Sequence, residues 1–223
     1  MSGPFAVVLT ALALLKPVPA REPAHAHLLV RIQSTVPVLV KPGGTQLATL
    51  GSTTSFGSAR VLGVVGRSGH WLRVSTADLP STRNGWVDAA QPGVAVRSTD
   101  ISLVVHLRRR TLQFLRGAHV VRTIRVGIGA PASPTPVGHF AVTDKLAGSA
   151  FSPVYGCCIL ALSAQQTHLP AGWHGGNRIA IHGTNVPSSI GGAVSTGCLH
   201  AAAADLRYLM ARVPLGAPVR ITA

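Results

Sequence analysis

The sequence predicts a mainly β protein that has two β domains and one helix near its C-terminal end. Short segments of β-branched or alternating apolar residues, separated by clusters of Gly, Pro, Ser and Thr, recur from residue 28 to residue 143. After Cys198 the apolar residues follow a helical period, which marks a single helix. A hydrophobic content of 47% over 223 residues excludes a disordered chain and allows one large or two small domains.

Residues 1–27 are predicted to be an export segment. Phe5 to Leu15 is an apolar run interrupted only by Thr10, too short for a membrane span of about 20 residues but suited to the core of a signal peptide. Val18-Pro19-Ala20 and Ala24-His25-Ala26 are small-residue candidates for cleavage. The positive residue expected before the run is missing, so a buried strand is the alternative interpretation.

Residues 28–96 are predicted to form the first β domain, and Gln91-Pro92-Gly93 punctuates its end. Four strands are expected from their β-branched or alternating pattern, at residues 28–32, 36–40, 60–65 and 70–74.

Two tryptophans mark the end of this first domain. The segment Gly69 to Val74, followed by Asn84-Gly85-Trp86-Val87, resembles the ending of a bacterial SH3-like domain. The resemblance implies a small β-barrel over residues 28–96. Trp71 and Trp86 would either bind wall peptides or fill a small core, and the second role is the one that we expect.

Residues 97–223 are predicted to form the second domain. Strands are expected at 101–106, 111–115, 120–126 and 140–143, and residues 144–178 are expected to hold long loops. Leu206, Leu209, Met210 and Val213 recur at helical intervals, and Pro214 and Gly216 end that helix. A last strand is expected at 219–221.

The charge balance is strongly basic, with 20 Lys and Arg against 6 Asp and Glu and a formal net charge of +14. Such a surface favours polyanions, so an anionic cell-wall polymer is a possible partner. The alternative is that the arginines only solvate the surface. No zinc finger or basic helix occurs, and the arginines are scattered apart from Arg108-Arg109-Arg110, so nucleic acid is not an expected partner.

Three cysteines occur, and an odd number in an exported protein indicates one free thiol. Cys157 and Cys158 are adjacent; a strained mutual disulfide is possible, but two small buried residues are what we expect. No metal site is predicted, because no Cys-x-x-Cys pair occurs and because His168, His174 and His182 lack a carboxylate and a regular ligand spacing.

Ile181-His182-Gly183-Thr184 and Ser195-Thr196-Gly197-Cys198-Leu199-His200 together suit acyl transfer by a thiol. That chemistry needs a thiolate, an imidazole that takes its proton and backbone N–H groups that hold an oxyanion. The glycine before Cys198 allows a tight turn that presents backbone amides. A helix after Leu199 would lower the pKa of the thiol through its positive dipole end.

These segments resemble the catalytic segment of the L,D-transpeptidase family, in which a histidine precedes a Ser-x-Gly-Cys motif at a spacing like the sixteen positions here. Ser133 to Phe140 is similar to the family's Thr-Pro-x-Gly-x-Phe segment, and Asp205-Leu206 and Gly216 to Ile221 also match. The resemblance covers about residues 97–223. It implies the full fold class: a small SH3-like β-barrel followed by an L,D-transpeptidase-type β-sandwich with one C-terminal helix.

The resemblance also implies the roles of the site residues. Cys198 would be the nucleophile, His182 its base and Gly183 the residue whose carbonyl orients the imidazole; the N–H groups of Gly197 and Cys198 would form the oxyanion hole. Ser195, Thr196 and His200 would bind substrate, although many members have His in place of Thr196 and Arg or Asn in place of His200. No metal or organic cofactor is implied, and the loops within 144–178 would form a lid.

The implied activity is that of a peptidoglycan L,D-transpeptidase, which forms 3→3 cross-links between stem peptides through a cysteine thioester. The alternatives are an L,D-carboxypeptidase, in which water replaces the acceptor amine, and a non-catalytic wall-binding module. The implied location is periplasmic or cell-wall-associated after export, without a stable membrane span.

Overall fold

The computed structural model describes residues 25–81 and 83–223, so most of the predicted export segment lies outside the described residues. The described chain is mainly β, as predicted, and its one α-helix is α1, Ala203–Arg212. Within these residues no helix has the length and apolar character needed to cross a membrane.

The first sheet is antiparallel throughout and contains seven strands in the spatial order β3-β2-β6-β5-β4-β1-β7. Its strands are β1 His27–Ile32, β2 Val36–Leu39, β3 Gln46–Leu50, β4 Val61–Ser68, β5 Trp71–Ser75, β6 Gly85–Asp88 and β7 Val94–Thr99. Alternate residues of these strands, including Val30, Val38 and Val74, are fully buried in one core. Strand β7 pairs with β1 as far as Thr99, so the predicted domain limit between residues 96 and 97 falls inside it.

The expectation that both tryptophans fill this core is wrong. Leu72 and Val74 of β5 and Val87 of β6 are buried there, and side chains alternate along a strand. Trp71 and Trp86 therefore lie on the opposite face, where both are half-buried. The SH3-like character of this sheet stays a prediction.

The second sheet contains eight strands in the order β10-β9-β8-β17-β12-β13-β14-β16, and a two-stranded sheet pairs β11 with β15. Its strands are β8 Ile101–His106, β9 Thr111–Arg116, β10 His119–Arg125, β12 Gly138–Ala147, β13 Cys158–Gln165, β14 Arg178–His182, β16 Leu199–His200 and β17 Pro218–Thr222; the small sheet consists of β11 Ile128–Gly129 and β15 Ala193–Ser195.

Strand β12 joins two halves of the second sheet. Its residues 138–141 pair with β17, and its residues 142–147 pair with β13 after a register shift. Inward side chains from every strand of both halves meet in one core, which α1 completes with the fully buried Leu206 and Leu209. The predicted helix is thus confirmed.

The expectation of long loops throughout 144–178 is wrong, because residues 158–165 form β13. This strand lies in the middle of one half of the sheet, between β12 and β14, and seven of its eight residues are buried. Strands that are covered on both faces have continuous apolar runs without alternation, which hides them from a search for alternating patterns.

The two sheets are packed against each other through buried polar and backbone contacts. Ser75 of β5 hydrogen-bonds Ser163 of β13 across 2.7 Å in a buried position. The Gln165 side chain donates to the Ala77 carbonyl at 2.9 Å. The first sheet therefore supports the outer end of β13, the strand beside β14.

Candidate active site

A cavity of about 590 Å³, here called the cleft, opens on the face of β13 and β14 that points away from the main core. Its floor is a small apolar cluster of Ile159, Ala161 and Ala180. Its rim carries exposed apolar side chains: Phe56, Phe151, Val154, Trp173, Val186 and Val194. His182, Cys198 and His200 also line it.

Parallel pairing of β14 with β16 brings the sequence-predicted residues together. Ile181 lies opposite Leu199, and both are fully buried in the main core. Because side chains alternate, the neighbouring pair of His182 and His200 faces the cleft. Cys198 immediately precedes Leu199 and therefore lies on the same face.

The imidazole of His182 is held in one tautomer. Its Nδ1 lies 2.6 Å from the Gly183 carbonyl oxygen, and a carbonyl can only accept, so Nδ1 carries the hydrogen. In the neutral ring, Nε2 then has a free lone pair. The pKa of His182 is lowered to about 4, mainly by burial and also by the nearby His200, while the Gly183 hydrogen bond acts in the opposite direction. His182 is thus a neutral base at pH 7.

Two aromatic rings contact this imidazole. The Tyr155 ring meets it edge-on with centroids 4.9 Å apart, and the His200 ring lies 4.8 Å away. Nδ1 of His200 donates to Ser189 Oγ at 2.8 Å, since the Ser189 hydroxyl donates its own hydrogen to the Val186 carbonyl. Burial lowers the pKa of His200 as well.

The thiol of Cys198 is protonated in this environment. Burial raises its pKa, and a backbone hydrogen bond at Ala180 offsets only part of that rise. The expectation of a pKa lowered by the helix dipole is therefore wrong for this state, in which burial is the larger effect. Sγ donates to the carbonyl of Arg178 at 3.8 Å, so in the described part of the chain its partner is a carbonyl rather than His182.

The turn from Ser195 to Cys198 is fixed from within by one hydroxyl. Ser195 Oγ accepts from the Gly197 N–H at 3.1 Å and donates to the Cys198 carbonyl at 2.6 Å. The hydroxyl is thus used inside the turn, whereas Thr196 is half-buried along the cleft. Gly197 has φ +109°, a conformation that favours glycine.

Two residues that the sequence interpretation missed hold this turn from outside. Thr135 Oγ1 donates to the Gly197 carbonyl at 2.8 Å and accepts from the Gly129 N–H at 2.9 Å. Gln166 Nε2 donates to the Thr196 carbonyl at 3.2 Å and would collide with any Cβ at Gly197. The Thr-Pro segment at 135–136 was a signal for Thr135, but nothing in the local pattern pointed to Gln166.

A disulfide joins Cys157 to Cys158, so the expectation of two reduced residues is wrong. The Cys158 carbonyl accepts from the Gly183 N–H at 3.1 Å. A Cβ built on Gly156 would lie 2.9 Å from the Gly183 Cα, so the two backbones touch. The segment 155–158 therefore supports His182 and its carbonyl partner from one side.

The histidines that were considered as metal ligands do not gather. His168 and His174 are exposed in the segment between β13 and β14, whereas His182 is buried. Over residues 25–81 and 83–223, no group of three His, Cys, Asp or Glu side chains is placed to hold a metal ion.

Comparisons with known proteins match the region that contains this site. A family model named YkuD, which describes the L,D-transpeptidase catalytic domain, matches residues 100–221. The putative L,D-transpeptidase YkuD of Bacillus licheniformis is 34% identical over 148 residues, which cover 64% of this chain and 81% of that protein. The protein of the same name in Bacillus subtilis strain 168 is 33% identical over 159 residues, which cover 67% of this chain and 88% of that protein. A solved L,D-transpeptidase from Mycobacterium smegmatis covers 87% of this chain and 99% of its own, at 16% identity and a TM-score of 0.46.

Proposed function

The chain belongs to the L,D-transpeptidase catalytic domain family, and we propose that Cys198 and His182 join peptidoglycan stem peptides by 3→3 cross-links. One observation supports this most: the two side chains, sixteen positions apart, line the same face of one apolar cleft. The tautomer of His182 adds to it, because Nε2 is left free to take a proton.

The first half-reaction acylates the sulfur. His182 Nε2 takes the thiol proton, and the thiolate attacks the carbonyl carbon between the third residue and the terminal D-alanine of a stem tetrapeptide. The tetrahedral intermediate collapses as the imidazolium gives its proton to the departing D-alanine amine. The product is a thioester on Cys198 with a neutral His182.

The second half-reaction regenerates the enzyme. An amine on the third residue of a neighbouring stem attacks the thioester carbonyl, and His182 takes its proton. The carbon–sulfur bond breaks, and the thiolate takes that proton back. A new amide bond then links the third residues of the two stems.

Activation requires two exchanges of hydrogen-bond partner. The thiol must leave the Arg178 carbonyl, and rotation to another staggered χ1 position is the motion that does this. The Gly197 N–H, which now donates to Ser195 Oγ, must turn towards the oxyanion beside the Cys198 N–H. An oxyanion donor is commonly worth about 3 kcal/mol of transition-state stabilisation.

Thr196, His200 and Ser195 are proposed to act at different distances from the substrate. Thr196 and His200 line the cleft and would contact the donor peptide. Ser195 would act by holding the turn, because its hydroxyl already joins Gly197 to Cys198. Export of the chain, and binding of anionic wall polymers by its basic surface, also stay proposals.

Two assays test this function. Purified protein is mixed with a carbapenem, a covalent inhibitor class of the family, and separately with stem tetrapeptides whose products are analysed by mass spectrometry. We expect an adduct on Cys198 and a cross-linked dimer. Tripeptide without dimer would favour the carboxypeptidase alternative, and the absence of both adduct and product would favour a wall-binding module.

Variants connect the activity to the proposed residues. Cys198→Ala and His182→Ala should each lower turnover by about 10³-fold or more while the fold is retained, because each removes a reacting group. His119→Ala, an exposed histidine on β10, is the matched control and should keep full activity. Full activity in Cys198→Ala would disprove the mechanism.

A further inference from the structure

The cleft contains a single permanent cation. Among the described residues that line it there is no Asp, Glu or Lys, and Arg178 is the only arginine. His182 and His200 both have lowered pKa values and are neutral at pH 7. An apolar cleft with one guanidinium and no carboxylate in its lining has the chemistry of a carboxylate receptor.

The Arg178 guanidinium has N–H donors that other residues in the described part of the chain do not use. Nη1 of Arg178 donates to Thr143 Oγ1 at 3.2 Å and lies 3.8 Å from Asp144 Oδ2. In the described part of the chain, its Nε and Nη2 groups make no hydrogen bond to protein. The side chain is 23% exposed, so these donors can reach a ligand in the cleft.

The buried carboxylate of Asp144 partly balances the positive charge of the Arg178 guanidinium. Its side chain is fully buried; Oδ1 accepts from the Thr54 hydroxyl, and Oδ2 has no hydrogen-bond donor among the described residues. At 3.8 Å the pair with Arg178 is longer than a charge-assisted hydrogen bond of about 2.7–2.9 Å. Asp144 therefore balances the charge of the guanidinium but does not occupy its remaining N–H donors.

The first sheet helps to fix the guanidinium. Phe56, on the segment between β3 and β4, has its ring centre 5.8 Å from Arg178 Cζ. Phe151 meets the Phe56 ring edge-on at 5.9 Å, which places the guanidinium beside an apolar wall. A charge-assisted hydrogen bond is stronger in such a setting than in open water.

The position of Arg178 in β14 places its backbone close to the reacting bond. Arg178 is two residues before Ala180, which neighbours Cys198, and strands rise about 3.3 Å per residue. Its own carbonyl accepts the Cys198 thiol. The guanidinium itself extends from β14 across β13 to Thr143 of β12. A carboxylate that it holds would therefore lie in the cleft on the β12 side of the attacked carbonyl.

We infer that Arg178 is a specificity residue that binds a carboxylate of the donor peptide in the cleft. This inference rests on the proposed function. Two carboxylates meet the requirement, that of the terminal D-alanine and that on the side chain of the third residue. Both present the same chemistry, and amidation of each in turn distinguishes them.

The test compares three tetrapeptides on the wild-type protein: one unmodified, one with a C-terminal amide and one with a carboxamide on the third residue. We expect one of the two amides to lower kcat/KM by about tenfold or more, because a charge-assisted bidentate contact is lost. In Arg178→Gln, kcat/KM for the unmodified peptide should fall to the value that the wild-type protein has for that amide. A purely structural role would lower all three rates by the same factor.

Further variants separate recognition from folding. Arg178→Lys should restore part of the preference for the carboxylate, since it keeps the charge. If Arg178→Gln fails to fold, the pair Arg178→Gln with Asp144→Asn removes both buried charges and should fold without the preference. Arg207→Gln, on the exposed side of α1, is the matched control.

The outcomes distinguish the two proposals. Wild-type turnover that is equal on all three peptides would overturn the role of Arg178 and leave the proposed function intact. Equal loss on all three peptides in Arg178→Gln, with no recovery in Arg178→Lys, would also overturn it. No turnover of any peptide together with no carbapenem adduct on Cys198 would instead refute the proposed function.

Discussion

Burial sets the protonation state of both reacting side chains. It raises the pKa of the Cys198 thiol and lowers the pKa of the His182 imidazole. Both shifts favour the neutral forms, so the resting site holds a thiol and an imidazole rather than a thiolate and an imidazolium. Proton transfer must therefore accompany attack on the substrate.

This neutral pair predicts the acid side of the pH profile. Because the pKa of His182 falls from 6.5 to about 4, the base stays unprotonated and active until the pH approaches about 4. A plot of kcat/KM against pH from about 3.5 to about 8 should be half-maximal near the lower value, with circular dichroism showing that the protein stays folded. An acid limb centred near the unshifted value would contradict the burial argument.

The residues that we propose to react could be picked out from the sequence, but those that support them could not. Cys198, His182 and Gly183 were found because their roles depend on a short local motif with a fixed spacing. Gln166 and Arg178 contribute through contacts to residues about twenty to thirty positions away, which no local pattern records. Their identification required the packing of β13 against β14.

Among the elements, the turn from Pro153 to Tyr155 contacts the site directly. Tyr155 contacts the His182 ring, and the following Gly156 touches the backbone of Gly183. The turn thus helps to fix the imidazole and its carbonyl partner. No atom larger than hydrogen fits between the two glycines.

Gly156→Ala should separate these two backbones. The new methyl group would lie 2.9 Å from the Gly183 Cα, in addition to the strain of φ +59°. We expect a loss of about 2–5 kcal/mol in the free energy of unfolding, measured in urea, and a fall in turnover as His182 shifts.

Gly69→Ala is a control matched in φ, because Gly69 also has φ +59° but nothing within 4 Å of the added methyl, whereas Gly156 in addition has ψ −140°. It should lose only about 1 kcal/mol and keep its activity. Equal losses in the two variants would show that backbone strain, and not the contact with Gly183, is the cause.

Strands β8 and β9 were predicted from their β-branched or alternating residues, whereas β13, β3 and β7 were not predicted. Strand β9 has the alternating burial of a sheet with one covered face, whereas five of the six residues of β8 are buried. Strand β13 was missed because seven of its eight residues are buried and no regular alternation marks it. Strands β3 and β7 were missed because turn residues flank them.

At the scale of the whole molecule, the first sheet contributes to the cleft and does not only adjoin it. Phe56 forms part of the rim, and Thr54 donates to Asp144 behind Arg178. At the same interface Gly63 of β4 faces Ala141 of β12. A close fit between the sheets is therefore needed for the shape of the cleft.

Gly63→Ala should disturb this fit. The added methyl would lie 2.8 Å from Ala141 Cβ and 3.0 Å from the Gly216 carbonyl, so one sheet must shift. We expect a loss of about 1–3 kcal/mol of stability and a raised KM, because the Phe56 wall moves. Gly66→Ala on the same strand, whose nearest contact is the Arg73 side chain at 3.5 Å, should change neither. A normal KM in Gly63→Ala would show that the cleft tolerates the shift.

Strand β17 lies between β8 and β12, although it follows both by more than seventy positions in the chain. Until residues 218–222 leave the ribosome, those two neighbours lack a shared partner and the core beneath them stays open. The catalytic half therefore completes its sheet only after this last strand is synthesised, and proteolytic removal of residues 218–222 would leave β8 and β12 without their shared partner.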